Sequence, residues 1–94
     1  MSIKCGYQIV TTAGGAAILT AGRPVIVYGV NMSGAGSSTS LYNGQTGSGT
    51  DVEVVVALST LAGETVNFKG GIVFPLGCWA DNNDDDCTVL YKTV

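Results

Sequence analysis

Gly70-Gly-Ile-Val-Phe-Pro-Leu-Gly-Cys-Trp-Ala-Asp-Asn-Asn-Asp-Asp-Asp-Cys-Thr-Val-Leu-Tyr91 decides the fold class. Apolar runs at 77 to 80 and 87 to 93 flank a loop that holds Asp81, Asp84, Asp85 and Asp86, four of the seven acidic residues in the chain. β-Branched and aromatic residues on either side of a cluster of turn formers read as two strands joined by an acidic tip. Ahead of them, Gly70, Gly71, Pro75 and Gly77 bracket a further apolar run at 71 to 74, and glycine and proline in such positions mark turns.

Outward from this stretch the hydrophobic period stays at two. In Asp51-Val-Glu-Val-Val-Val-Ala-Leu58, residues Val52, Val54, Val56 and Leu58 share one face and Asp51, Glu53, Val55 and Ala57 the other, which predicts a strand with one buried face. Pro24-Val-Ile-Val-Tyr-Gly-Val30 is β-branched and apolar on both faces, the pattern of a central strand covered on both sides by another sheet or another subunit. Further runs at 3 to 11, 16 to 20, 38 to 42 and 65 to 68 are separated by glycine, asparagine, serine or proline. Asn43-Gly44 is a type I′ turn signal, since both central residues of that turn need positive φ. Ala13-Gly-Gly-Ala-Ala-Ile-Leu-Thr20 reads as strand and turn, because its glycines weaken a helix and no amphipathic stripe follows. The expected architecture is all-β: an antiparallel β-sandwich, jelly-roll-like, of about eight short strands. Residues 1–94 form a single β-sandwich domain, within which 1–23 read as an N-terminal arm or as edge strands.

Composition narrows the function. Hydrophobic residues are 46% and charged residues only 12% of the 94, so the surface is built largely from Ser, Thr, Asn and Gly. Few charges keep copies apart, which suits a protein that works packed against other chains. The net charge of -3 is local: setting aside the four aspartates of the tip leaves four basic residues against three acidic ones. Lys4, Arg23, Lys69 and Lys92 are too scattered to track a phosphate backbone, so nucleic acid is not an expected partner. Residues 5 to 22 carry no charge but are too polar and glycine-broken to span a membrane as a helix. No compact apolar run follows the start of the chain, so synthesis in a cytosol is expected. Histidine is absent, which removes the usual general base near neutral pH, and the glycine-rich stretches match no phosphate-binding loop. Glu53 and Glu64 fall at strand edges, where solvated carboxylates are normal. An enzyme is therefore not expected.

Three groups of side chains remain as site candidates. Asp81, Asn83 and Asp85 alternate so that a curling loop can turn three oxygen ligands toward Ca²⁺, yet Asp86 and Lys92 stand where a helix-loop-helix calcium loop has Gly and Glu; a solvated tip is the alternative. Cys78 and Cys87 flank that tip and either form a disulfide or stay as buried thiols, as cytosolic cysteines do. The count of three cysteines is odd, so no complete disulfide framework is implied. Trp79 fills the core or a subunit contact, or with Tyr42 offers an aromatic surface on which a sugar ring stacks. Asn31-Met-Ser33 is a glycosylation triplet by pattern alone.

Val27-Tyr-Gly-Val-Asn31, Ser40-Leu-Tyr-Asn-Gly44, Gly70-Gly-Ile-Val-Phe-Pro-Leu-Gly-Cys-Trp-Ala-Asp81 and Cys87-Thr-Val-Leu-Tyr91 together resemble small β-sandwich proteins of tailed-bacteriophage structural modules. In those, a strand ending Leu-Tyr-Asp/Asn-Gly is followed by Gly-Ile-x-Phe-Pro-x-Gly and a last Val-x-x-Tyr-type strand. The resemblance implies a virion component on the capsid exterior: a decoration or cement protein bound to the major capsid protein, made in the host cytoplasm. Three-fold capsid junctions make a homotrimer the expected oligomer. The rival expectation is a receptor- or carbohydrate-binding module of a tail or fibre. The aspartate tip lies outside the shared pattern and inherits no role from it.

Overall fold

A computed structural model describes residues 6–10, 16–18, 23–34, 38–44, 51–82 and 87–93. The period-two segments become eight strands: β1 Gly6–Val10, β2 Ala16–Ile18, β3 Val25–Met32, β4 Ser38–Asn43, β5 Val52–Leu58, β6 Thr65–Phe74, β7 Cys78–Asn82 and β8 Cys87–Thr93. They form two four-stranded sheets, ordered β1-β8-β3-β6 (sheet A) and β2-β7-β4-β5 (sheet B), and the pairings are antiparallel throughout. Every connection except β4 to β5 passes from one sheet to the other. That alternation is the double Greek key of a jelly roll, the architecture expected from the sequence.

The core lies between the sheets. Val25, Val27, Val30, Met32, Phe74, Cys87 and Val89 face it from sheet A, and Ile18, Leu41, Ala57, Cys78 and Ala80 from sheet B. Phe74 is the largest fully buried side chain. Burying a residue of the Val, Leu, Ile or Phe class stabilises by about 1.5–3 kcal/mol, which a core of a dozen such small groups must set against the entropy of ordering the chain.

Four local readings change. The acidic tip does not close a hairpin, because β7 belongs to sheet B and β8 to sheet A; the segment between them links the two sheets. On β5 the buried side is that of Ala57 and the half-buried Val55, whereas Val52, Val54, Val56 and Leu58 are 64%, 46%, 42% and 66% exposed. Register explains it: β4 sends Thr39 and Leu41 into the core, their partners on β5 are Ala57 and Val55, and cross-strand partners share a face. Asn43-Gly44 is not a two-residue turn, since β5 begins only at Val52. Instead the Asn43 side-chain oxygen accepts the Leu76 amide at 2.9 Å, and the Gly44 amide donates to the Gly77 carbonyl at 3.0 Å, tying the end of β4 to the β6–β7 turn. β3 is central, but among the described residues no second sheet covers its outer side chains Ile26 and Tyr28, which are half-buried, with the Lys92 ammonium 5.2 Å from the Tyr28 ring centre.

The runs at 65 to 68 and 71 to 74 are one strand, interrupted by a bulge. Between the pairs Val27↔Ile72 and Gly29↔Asn67, four residues of β6 lie opposite Tyr28 alone. Gly70 and Gly71 make the detour at φ 82° and 83°, values that side chains resist. A Cβ at Gly70 would meet nothing, but one at Gly71 would press on Ile26 and Tyr28. Gly71→Ala is accordingly expected to destabilise more than Gly70→Ala, which incurs only the backbone penalty of about 1–2 kcal/mol. Urea unfolding of both variants checks the order; equal losses would show that packing against Ile26 and Tyr28 is not tight.

Candidate contact face on sheet B

Sheet B has the more distinctive outer surface, and its register builds it. Cys78 and Ala80 on β7, and Thr39 and Leu41 on β4, all face the core. Alternation therefore turns Trp79 and Asp81, and Ser40 and Tyr42, outward, where all four are half-buried. Pairing then aligns them into rows: Ala17, Trp79, Tyr42 and Glu53 lie side by side, and next to them Asp81, Ser40 and Val56. The directly opposed Trp79 and Tyr42 contribute about 0.2–1 kcal/mol as a cross-strand aromatic pair while leaving ring surface available.

Carboxylates rim the aromatics. Burial raises the Tyr42 hydroxyl pKa above its ordinary value, and the Glu53 charge and a hydrogen bond to that carboxylate push it the same way, with Asp81 adding to the effect. None of the four strands of sheet B contains Lys or Arg, whereas sheet A carries Lys69 and Lys92. The outer face of sheet B is thus aromatic and aliphatic with a negative rim. Such a surface can stack on a ring, pack against an apolar patch or accept basic groups at its edge.

The other sequence candidates separate. Asp81 lies within β7 and not in the tip, while Asn83 and Asp85 fall outside the described residues. Among the described residues, no group of three or more His, Cys, Asp or Glu side chains could hold a metal ion. Cys78 and Cys87 are buried on opposite sheets and are not bridged to each other; Cys78 pairs with Ile18 and Asn43 in the ladder, Cys87 with Val10 and Met32. Desolvation pushes the Cys78 thiol up to about 12, which makes it an apolar filler and a poor nucleophile. Trp79 is outside the core cluster and on the outer face of sheet B.

Two residues are structural. The Asn31 side-chain amide donates to the Gly63 carbonyl at 3.0 Å and to Thr65 Oγ1 at 2.8 Å, so the glycosylation triplet is engaged in tying β3 to the β5–β6 loop. Glu64 accepts the Thr60 amide at 2.8 Å and the Ser59 and Thr60 hydroxyls at 3.3 and 3.4 Å. Those bonds, the Thr60 amide foremost, lower its pKa. Glu53, by contrast, lies on the outer face of sheet B beside Tyr42. In the sequence the two glutamates are alike, both strand-edge carboxylates. The i, i+2 spacing places Trp79 with Asp81 and Ser40 with Tyr42, but their meeting across strands has no local signal.

Fold and site define a class: a small jelly-roll β-sandwich that presents an aromatic face with a carboxylate rim. Compared with protein-family models, curated proteins and solved structures, the chain matches none. Among the described residues there is no helix long and apolar enough to cross a membrane.

Proposed function

We propose that the chain is a virion structural protein of the tailed-phage type: a decoration or cement protein that adheres to the outside of a capsid through the outer face of sheet B. The observation that carries this reading is the outward Trp79–Tyr42 pair, continued along the same face by the exposed Val56 and Leu58. A face with aromatic anchors gains its energy by excluding water from a partner surface, and many weak contacts on one shell add up through multivalency. The negative rim suits a major capsid protein whose surface carries Lys or Arg around an apolar patch. Jelly rolls recur in viral shells and in lectins, which supports the reading by analogy of fold only.

The second reading is a carbohydrate-binding module of a tail or fibre, favoured by the same aromatic pair with Glu53 and Asp81 as hydrogen-bond acceptors for sugar hydroxyls. Quantitative mass spectrometry of purified particles whose genome encodes this chain separates the two. Decoration predicts on the order of hundreds of copies per particle, a tail part roughly a dozen, and absence from the particle overturns both. The double variant Trp79→Ala/Tyr42→Ala is expected to remain folded and to stop co-sedimenting with stripped particles. Trp79 is the single tryptophan, so its fluorescence in a titration with glycans reads the second possibility directly.

A further inference from the structure

The β5 edge of sheet B is built differently from the β2 and β6 edges, and at seven residues it is longer than β1, the other edge of sheet A, which has five. β2 has three residues. β6 is broken by the bulge at 68 to 71 and carries the exposed Lys69, two devices that discourage pairing with another strand. β5 has neither proline nor a basic residue, and it runs Val52-Glu-Val-Val-Val-Ala-Leu58 with its outer backbone edge unpaired among the described residues. Exposed Leu61 follows it at one end; at the other, Asn43, the partner of Val52, holds exposed Leu76 through its amide. An apolar edge strand with open hydrogen-bonding groups is a template for strand addition.

The sequence of that edge is complementary to itself. Its register against β4 shifts once, between Leu41 and Tyr42, which makes Val54 the extra residue and leaves 55 to 58 regular. If two copies align antiparallel about a two-fold axis at Val56, Val56 meets Val56, Val54 meets Leu58, and Val55 meets Ala57 on the core side. Every exposed apolar side chain of the regular segment then finds an apolar partner, and Glu53 lies opposite Ser59 rather than another carboxylate. Isologous pairing of this kind closes on itself and leaves no growing end.

We propose that β5 pairs with β5 of a second copy, joining two B sheets into one continuous eight-stranded sheet. The outer faces bearing Trp79 and Tyr42 then become a single surface of doubled area. The pairing is two-fold, in place of the three-fold assembly expected from capsid-junction symmetry, and it stands whatever that surface binds.

Sedimentation equilibrium of the purified chain tests it. The expected mass is twice 9.5 kDa. Val56→Lys sets two ammonium groups against each other on the axis and is expected to weaken the dimer by about tenfold or more, because like charges directly opposed repel. Val56 is already partly exposed, so the monomer can keep the lysine in water. Val73→Lys, at an exposed site on sheet A, leaves the dimer intact. The register has its own readout: Val54→Lys and Leu58→Glu each weaken association, whereas the double variant restores it, because the introduced ammonium of each copy then faces the introduced carboxylate of the other. A monomer at all concentrations, a trimer, or a dimer indifferent to Val56→Lys overturns the proposal. Failure here leaves the particle measurements above unaffected, so the two claims fall separately.

Discussion

Replacing Phe74 with alanine is expected to lower the unfolding free energy by about 3–5 kcal/mol, the range for a large aromatic removed from a packed core. Phe74 is fully buried, pairs with Val25, and ends β6 where the chain turns from sheet A to sheet B. The turn itself is fixed by the Gly77 amide donating to the Phe74 carbonyl at 3.2 Å, with Gly77 at φ 94°. Neighbours on two sheets cannot both collapse into the space the ring leaves, so most of the cavity persists. Against a total of about 5–15 kcal/mol for a domain, that loss is roughly a fifth or more of the stability. Val73→Ala, one residue away but 57% exposed, should stay within about 0.5 kcal/mol. Urea unfolding at neutral pH measures both, and a cost below about 1 kcal/mol for Phe74→Ala would mean that the ring does not bridge the sheets.

Stability is expected to fall steeply on the alkaline side, because of Cys78. The thiol of the unfolded chain ionises near 9.0, while burial holds the native thiol at about 12. Between those values the unfolded state releases a proton that the native state keeps, so the unfolding free energy drops by about 1.4 kcal/mol per pH unit, approaching roughly 4 kcal/mol in all. Below pH 9 the contribution is fully present. Tyr42, also raised in the native state, acts in the same direction at higher pH. Comparing the wild type with Cys78→Ala between about pH 8 and pH 11 isolates the effect: the variant should lose stability more slowly. Identical slopes would show that Cys78 is not held neutral by burial.

The fold class could be read from the chain because each strand carries its own period-two pattern, and β3, β4, β7 and β8 fall close to the runs that show it. What the chain could not reveal is which strands pair. Cys78–Asn82 and Cys87–Thr93 look like the arms of a hairpin, yet they enter different sheets, because pairing with β4 and with β3 is a long-range choice that local alternation does not record. β5 shows the same limit in another form. Both of its faces contain valines, so alternation alone cannot say which is inward; the decision comes from Thr39 and Leu41 across the strand. Gly70 and Gly71 look like a boundary between two strands and are a bulge within one. The site is legible in part: strand parity sets Trp79 on the face opposite Cys78, but whether Trp79 and Tyr42 fill the core or lie on an outer face is left open by the sequence. Their adjacency, and the Glu53 and Asp81 rim, depend on register and emerge only in three dimensions.

The outer face of sheet B is the proposed contact surface. Imaging particles that carry the chain, at a resolution that shows side chains, tests it most directly. The account predicts that Trp79 and Tyr42 lie against the coat, with Lys92 and Tyr28 of sheet A turned to solvent. Finding sheet A against the coat and the Trp79–Tyr42 pair open to solvent would contradict it.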